Sequence, residues 1–476
     1  IGIIEKLTIA TAGGNDRIEV TNLYDLTALS ADMGDGDDSF KTEGFLVKGN
    51  AAFSMGAGLD NVEFDGLLGK ITGDLNIADS ADGLFFEFRA ERVKIGGSVT
   101  LVGSAAKDTL TMTTDTVVKI GKQIDFTANG GNDRLVFGSQ GMVTVGREAQ
   151  GRSVIYHGGD GNDRIGIGAS IVNLLGSVEM TGGAGDDTLD LDGLRVSVGK
   201  SRAGISAQLT GDDGRDQIDI QGSVVKIAGL LQIGGGAGED LLDLSSVHRL
   251  TLKGGASFTG GAGYDEYKLG ADHLRVKGDL FFDGGDDDDE IEIEANGIIK
   301  GSVIANFGGA VENEQIGAVT ARSGLRNSLH ITGAVMMDAT GDAASADDFK
   351  LTNLKIGGSL SVLLGDGDSS LDMDNLNVAG AVTFDTRGGN DEVVLETDGN
   401  FGPSAFRQQT TIRMGSGDDI LVIGDDSENN IVRFHGKVTA EGGESSDTRN
   451  DIGAVNEFGD SGYMETGFEI LLPTEE

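Results

Sequence analysis

The 476-residue chain has no cysteine and no tryptophan, and its only prolines are Pro403 and Pro473. Without cysteine, neither disulfides nor thiolate metal sites can hold it together. Two prolines in this length fit a chain whose strands lie inside sheets, where a missing N–H would break the ladder. No apolar run reaches the length of a membrane span. No signal peptide stands at the start, and Ile1 rather than Met opens the chain, which reads as a processed or partial protein. Positive charge is scarce: 36 Lys and Arg against 78 Asp and Glu give a formal net charge of −42. Such a chain repels nucleic acid and anionic membranes. The five histidines, His157, His248, His273, His330 and His435, fall in different repeats with no Ser or Cys nucleophile motif beside them, so a non-enzyme is expected.

Glycine is abundant, at 79 residues, and it recurs with aspartate in loops that lead into short alternating apolar strands. Four copies fit the pattern GGxGxDxUx, with U a large apolar residue: Gly158 to Gly166, Gly182 to Asp190, Gly235 to Asp243 and Gly260 to Lys268. Looser copies begin at Gly13, Gly56, Gly130, Gly388 and Gly415. The last acidic residue before each strand marks the period. The series runs Asp16, Asp38, Asp60, Asp82, Asp108, Asp133, Asp163, Asp187, Asp216, Asp240, Asp265, Asp289, and continues through Glu314, Asp347, Ser369, Asp391, Asp419 and a degenerate Asp447. The mean repeat is about 25 residues, in the range of solenoids and arrays.

A second element recurs within each repeat: alternating apolar residues before and after a glycine, as in Val93-Lys94-Ile95, Gly96-Gly97, Val99-Thr100-Leu101. Period-two alternation signals strand, and the glycine permits a tight corner. One repeat is therefore three short strands. A lone coil cannot bury its apolar face, whereas stacked coils pair every backbone group and share one core. The expected fold is an all-β parallel β-helix, right-handed by default, with one elongated domain of about 17 coils over residues 1–476. At about 4.8 Å per coil, its length is on the order of 80 Å.

Stacking puts the marker carboxylates in a column about 5 Å apart, where neighbours repel by roughly 1 kcal/mol even at the dielectric of water. A cation is expected there, and Asp carboxylates with exposed loop carbonyls are the hard oxygen ligands that Ca²⁺ prefers. The four full matches resemble the calcium-binding nonapeptides of the haemolysin-type (RTX) proteins, a family of secreted bacterial toxins, enzymes, adhesins and surface-layer proteins. The resemblance implies calcium binding by Asp163, Asp187, Asp240 and Asp265 with carbonyls of their loops. Asp133, Asp216, Asp289, Asp16, Asp391 and Asp419 extend the expectation to looser copies. RTX segments repeat the nonapeptide in tandem, two turns per coil of 18 residues, while this chain has one such loop per repeat of about 25. The competing account makes the loops plain turns, with Asp bonded to local backbone. The run Asp286 to Asp289 reads as a solvated charge cluster, with an extra cation site as the alternative.

Two longer repeats carry basic loops, Arg147 and Arg152 in one and Lys200 and Arg202 in the other, two coils apart. They form a candidate patch for an anionic glycan or for the acidic face of a second copy. A third long repeat adds Arg322 and Arg326 at a different corner. Segments 1–10 and 456–476 are strand-like and apolar, suited to end-to-end stacking into a homo-oligomer or filament. The functional expectation is a secreted bacterial, extracellular or cell-surface β-solenoid stabilised by Ca²⁺, structural or adhesive, as in a fibre or layer. The alternative is a polysaccharide lyase or epimerase acting on acidic glycans.

Overall fold

The computed structural model describes residues 5–146, 151–199, 204–309, 315–320, 328–341, 346–396, 402–424, 431–443, 447–450, 457–458, 463–466 and 468–470. The fold is all-β, two parallel sheets wound into a β-solenoid of about 17 turns with a repeat of about 24 residues. Ile1–Ala237 and Gly238–Glu476 form two compact units.

Within the first unit the register shows why the repeat folds this way. Thr109–Ile120 pairs in parallel with Leu84–Ile95 on one side and Arg134–Val145 on the other. Each marker is followed at the same offset by a large apolar residue, so pairing in register stacks like on like. Leu110, Leu135, Ile165, Leu189 and Ile218 form one such column, and all are at most 1% exposed. The intervening residues point outward, as period-two alternation requires.

The expected first and second strands often run together as one long strand, such as Asp60–Ile71 or Thr109–Ile120, with an irregularity in pairing near its middle, as between Thr114 and Val117. In the second unit they still run together through Asp289–Ile299 and separate in later coils. Asp347–Thr352 and Leu354–Ile356 are divided by Asn353 at φ 63°, and Asn375 follows suit at φ 50°. Asparagine tolerates the left-handed region better than branched residues do, so it makes a sharp corner where other repeats only bend. The third expected strand is present throughout as the short strand of the other sheet, for example Val99–Val102.

Aromatic side chains fill the interior. Phe64 and Phe88 stack at 4.6 Å with 17° between planes, and Phe86 lies 5.5 Å from Phe64. In the second unit Phe258 and Phe282 stack at 4.7 Å and 6°. All five are at most 2% exposed. Burying one such side chain stabilises the fold by about 1.5–3 kcal/mol.

Candidate functional site: a carboxyl ladder along the glycine edge

Each Gly-Asp loop turns into a strand, and the turn leaves backbone N–H groups that the regular ladder does not reach. Glycine solves part of this. Gly185, at φ 123°, directs its N–H to the Asp213 carbonyl of the next coil at 2.6 Å, and Gly161 does the same toward Ala184 at 2.6 Å. The marker aspartate solves the rest. The N–H of Asp133 donates to Asp163 Oδ1 at 2.7 Å, Asp163 to Asp187 Oδ1 at 2.6 Å, and Asp187 to Asp216 Oδ1 at 2.7 Å. The same bond joins Asp16 to Asp38, Asp38 to Asp60 and Asp108 to Asp133 in the first unit. In the second it joins Asp240 to Asp265, Asp265 to Asp289 and Asp391 to Asp419. In each of these coils one carboxyl oxygen thus stands in for a carbonyl acceptor.

The second oxygen has a different environment. Oδ2 of Asp38, Asp60, Asp133, Asp163, Asp187 and Asp265 is buried and accepts no hydrogen bond among the described residues. A Cβ on Gly158 would collide with both Asp163 Oδ2 and the Gly182 carbonyl oxygen. A Cβ on Gly182 would collide with Asp187 Oδ2 and lie 2.7 Å from the Gly211 oxygen; Gly260 repeats the arrangement with Asp265 Oδ2 and Gly284 O. The first glycine of the motif is therefore required for close approach. It brings a carboxyl oxygen and the next coil's carbonyl close to one spot; at Gly260 the Tyr267 hydroxyl is there too, donating to the Asp283 carbonyl at 2.9 Å and to that of Gly284 at 3.5 Å.

Electrostatics follow from that geometry. Removal from water disfavours the ionised form, so burial pushes Asp187 up to about 8, against the N–H bond from Asp163 and with added repulsion from Asp163 and Asp216. Burial likewise takes Asp60, Asp133, Asp265 and Asp391 to about 7, Asp163 to about 6 and Asp289 to about 9. The Tyr156 hydroxyl, buried beside Asp163, Asp133 and Asp187, has no partner among the described residues, and burial raises its pKa far.

Nine of the ten expected ligands, Asp133, Asp163, Asp187, Asp216, Asp240, Asp265, Asp289, Asp391 and Asp419, are at most 2% exposed and lie on this ladder. Asp16 is only half-buried and opens the row by donating to Asp38. Asp216 belongs although its loop departs from the nonapeptide pattern. Asp82 does not belong: it is exposed at φ 61°, and the Gly83 carbonyl accepts the Asp60 N–H in its place at 3.1 Å. At Ser369 a hydroxyl replaces the carboxyl, accepting the Asp347 N–H at 3.2 Å, while the Ser369 N–H donates to Asp391 Oδ1 at 2.8 Å. The rung thus survives without charge. The Asp286 to Asp289 run splits, with Asp286 exposed and Asp289 buried in the ladder. Glu314 lies outside the described residues.

Of the expected basic patch, Arg152 pairs with Glu179 at 2.8 Å; Arg147, Lys200 and Arg202 lie outside the described residues, as do Arg322 and Arg326. His248 and His273 sit in adjacent coils with ring centroids 5.2 Å apart, and His248 Nδ1 is 2.7 Å from Asp272 Oδ2. Their spacing equals one repeat, a signal present in the sequence. Among the described residues no cluster of three His, Cys, Asp or Glu side chains is placed to hold a metal ion.

No protein-family model, curated protein or solved structure matches this chain. The buried Oδ2 atoms that accept no hydrogen bond, with loop carbonyls close by, call for a proton or a cation. Their donor chemistry, carboxyl and carbonyl oxygen, fits a hard cation such as Ca²⁺. Protonation of the aspartate satisfies the same pair without an ion. Among the described residues no helix is long and apolar enough to cross a membrane.

Proposed function

We propose that the chain is a non-catalytic structural or adhesive β-solenoid that works outside the cell, as a unit of a surface fibre or layer, with Ca²⁺ held along the Gly-Asp edge. The observation that carries this reading is the row of buried Oδ2 atoms that accept no hydrogen bond among the described residues, with loop carbonyls close by. Asp163 with the Gly182 carbonyl, Asp187 with that of Gly211, and Asp265 with that of Gly284 would hold the ion, which supplies positive charge where burial makes negative charge costly. The nonapeptide resemblance supports the same residues. The resemblance to a family of secreted proteins is what favours an extracellular setting. Ion binding restricted to the folded coil would then couple assembly of the loops to calcium.

Calcium titration of the chelated protein, followed by calorimetry and thermal melting, tests the reading. Saturable binding with a rise in melting temperature is expected. Identical melting with and without millimolar calcium refutes the ion. Negative-stain electron microscopy under both conditions tests the fibre or layer: end-joined particles in calcium support it, and isolated particles in both conditions overturn it.

A further inference from the structure

A second feature of the first unit is independent of the aspartate ladder. The long strands Asp60–Ile71, Leu84–Ile95 and Thr109–Ile120 place Lys70, Lys94 and Lys119 directly opposite one another in register. All three are exposed. Parallel neighbours in a sheet are about 4.8 Å apart, and like charges opposite one another are destabilising. In a chain of net charge −42, acidic partners are plentiful, yet none of the three ammonium groups makes an ion pair among the described residues. Arg92, two residues before Lys94 on the same outward face, bonds the Thr116 hydroxyl at 3.4 Å and makes no ion pair among the described residues. Of the acids near these lysines along the chain, Asp74 has its Oδ1 accepting the Ser98 N–H at 2.8 Å and paired with Lys122 at 3.0 Å.

The three lysines also line a concave recess of about 560 Å³. Thr72 and Thr144 add hydroxyls, Leu175 adds an apolar wall, and no acidic residue lines it. A surface of opposite sign to the rest of the molecule, recessed and periodic, is what recognition of a linear anion requires. Salt screens the distant negative charge within about 8–10 Å, so the local ammonium groups govern the recess.

We propose that this recess binds a linear acidic polysaccharide, with carboxylate or sulfate groups of successive sugars meeting Lys70, Lys94 and Lys119 one per coil. A pyranose unit in an extended chain advances by about one coil spacing, so the ladder matches the ligand's period. Hydroxyls of Thr72 and Thr144 suit sugar hydroxyls. A single-stranded nucleic acid fits less well, because no aromatic side chain lines the recess for base stacking. The flat sheet face of a second copy would leave a concavity unfilled.

The test uses the full chain in chelating buffer at about 0.1 M salt, where that screening holds, with two fluorescent probes read by anisotropy: an oligogalacturonate and a chondroitin sulfate oligosaccharide. The expected result is binding of at least one probe, with the pair distinguishing carboxylate from sulfate. The triple variant K70Q/K94Q/K119Q loses tenfold or more in affinity, and the dependence of log K on log salt becomes shallower by up to about one per lysine removed. K226Q, in the same column but facing Ser197, binds as wild type. A circular dichroism melt checks that the triple variant folds. No binding of either probe overturns the proposal, as does equal affinity in the triple variant. Equal binding of an oligothymidylate, or lysine-dependent self-association in sedimentation, assigns the recess to another partner and overturns it too. Circular dichroism of wild type in the same chelating buffer checks that it is folded without calcium, so a failure to bind is distinguishable from failure of the ion site.

Discussion

Replacing Asp187 by asparagine separates the two roles of the ladder carboxyl. Asn keeps the oxygen that accepts the Asp163 N–H at 2.6 Å, and its amide can donate to the Gly211 carbonyl, which a carboxylate can only repel. The substitution therefore imitates the protonated acid at every pH. Asp187 is pushed from 3.8 up to about 8 by burial; at about 1.4 kcal/mol per pH unit, keeping it ionised costs on the order of 5 kcal/mol in the absence of a cation. Asp187→Asn should thus be more stable than wild type at pH 8.5 in chelator, with the difference shrinking as pH falls and vanishing only below about pH 4. Asp187→Ala removes the acceptor and leaves the Asp163 N–H unsatisfied, so it should fall below the Asn variant by about 1–3 kcal/mol. Since repeat arrays open locally, hydrogen exchange at the Asp163 amide is the direct readout. Thermal melting, at roughly 2–4 °C per kcal/mol for a unit of this size, gives the global one. Saturating calcium should narrow the difference by stabilising wild type more than the Asn variant. If Asp187→Asn is less stable than wild type at pH 8.5 in chelator, the donorless oxygen pair is not a liability and the reasoning fails.

The ladder also sets the pH response. A carboxyl whose pKa is raised in the fold stabilises most below about pH 4 and loses that contribution as pH rises through the folded value. For Asp133 and Asp265 near 7 and Asp187 near 8, the chelated protein should melt lower at pH 8 than at pH 5, and a flat profile would contradict the burial. Gly182→Ala forces a Cβ against Asp187 Oδ2 at a tight corner and should cost about 1–3 kcal/mol, whereas Gly166→Ala, with nothing within 4 Å of the new Cβ, should be neutral or stabilising by up to about 1 kcal/mol; denaturant melts of the two variants compare them. Phe64→Ala removes a ring stacked on Phe88 and should destabilise the first unit by about 3–5 kcal/mol, visible as earlier exchange of the Asp60–Ile71 amides.

The repeat was legible because each physical requirement leaves a residue type at a fixed offset. A marker aspartate, an apolar residue two positions later and a glycine five positions earlier recur at nearly one period, and parallel stacking in register is the arrangement that buries every apolar position and pairs the backbone at once. That much the amino-acid order determined, along with the columns of Leu110, Leu135 and Ile165. The exception at Asp82 was not legible, since Gly83 offers a carbonyl that serves as well as a carboxyl and nothing in the local order shows which neighbour presents the acceptor. Nor could spacing reveal that one carboxyl oxygen is occupied by an N–H while the other faces a carbonyl, because that depends on how closely the first glycine lets adjacent coils approach. Lys70, Lys94 and Lys119 were spaced by one repeat all along, as were His248 and His273. Only the tertiary structure decided that the lysines share one recess without an acidic partner, because ion pairing depends on which side chains the neighbouring coils bring within reach, and one chain position can pair with residues on either side of it in the stack.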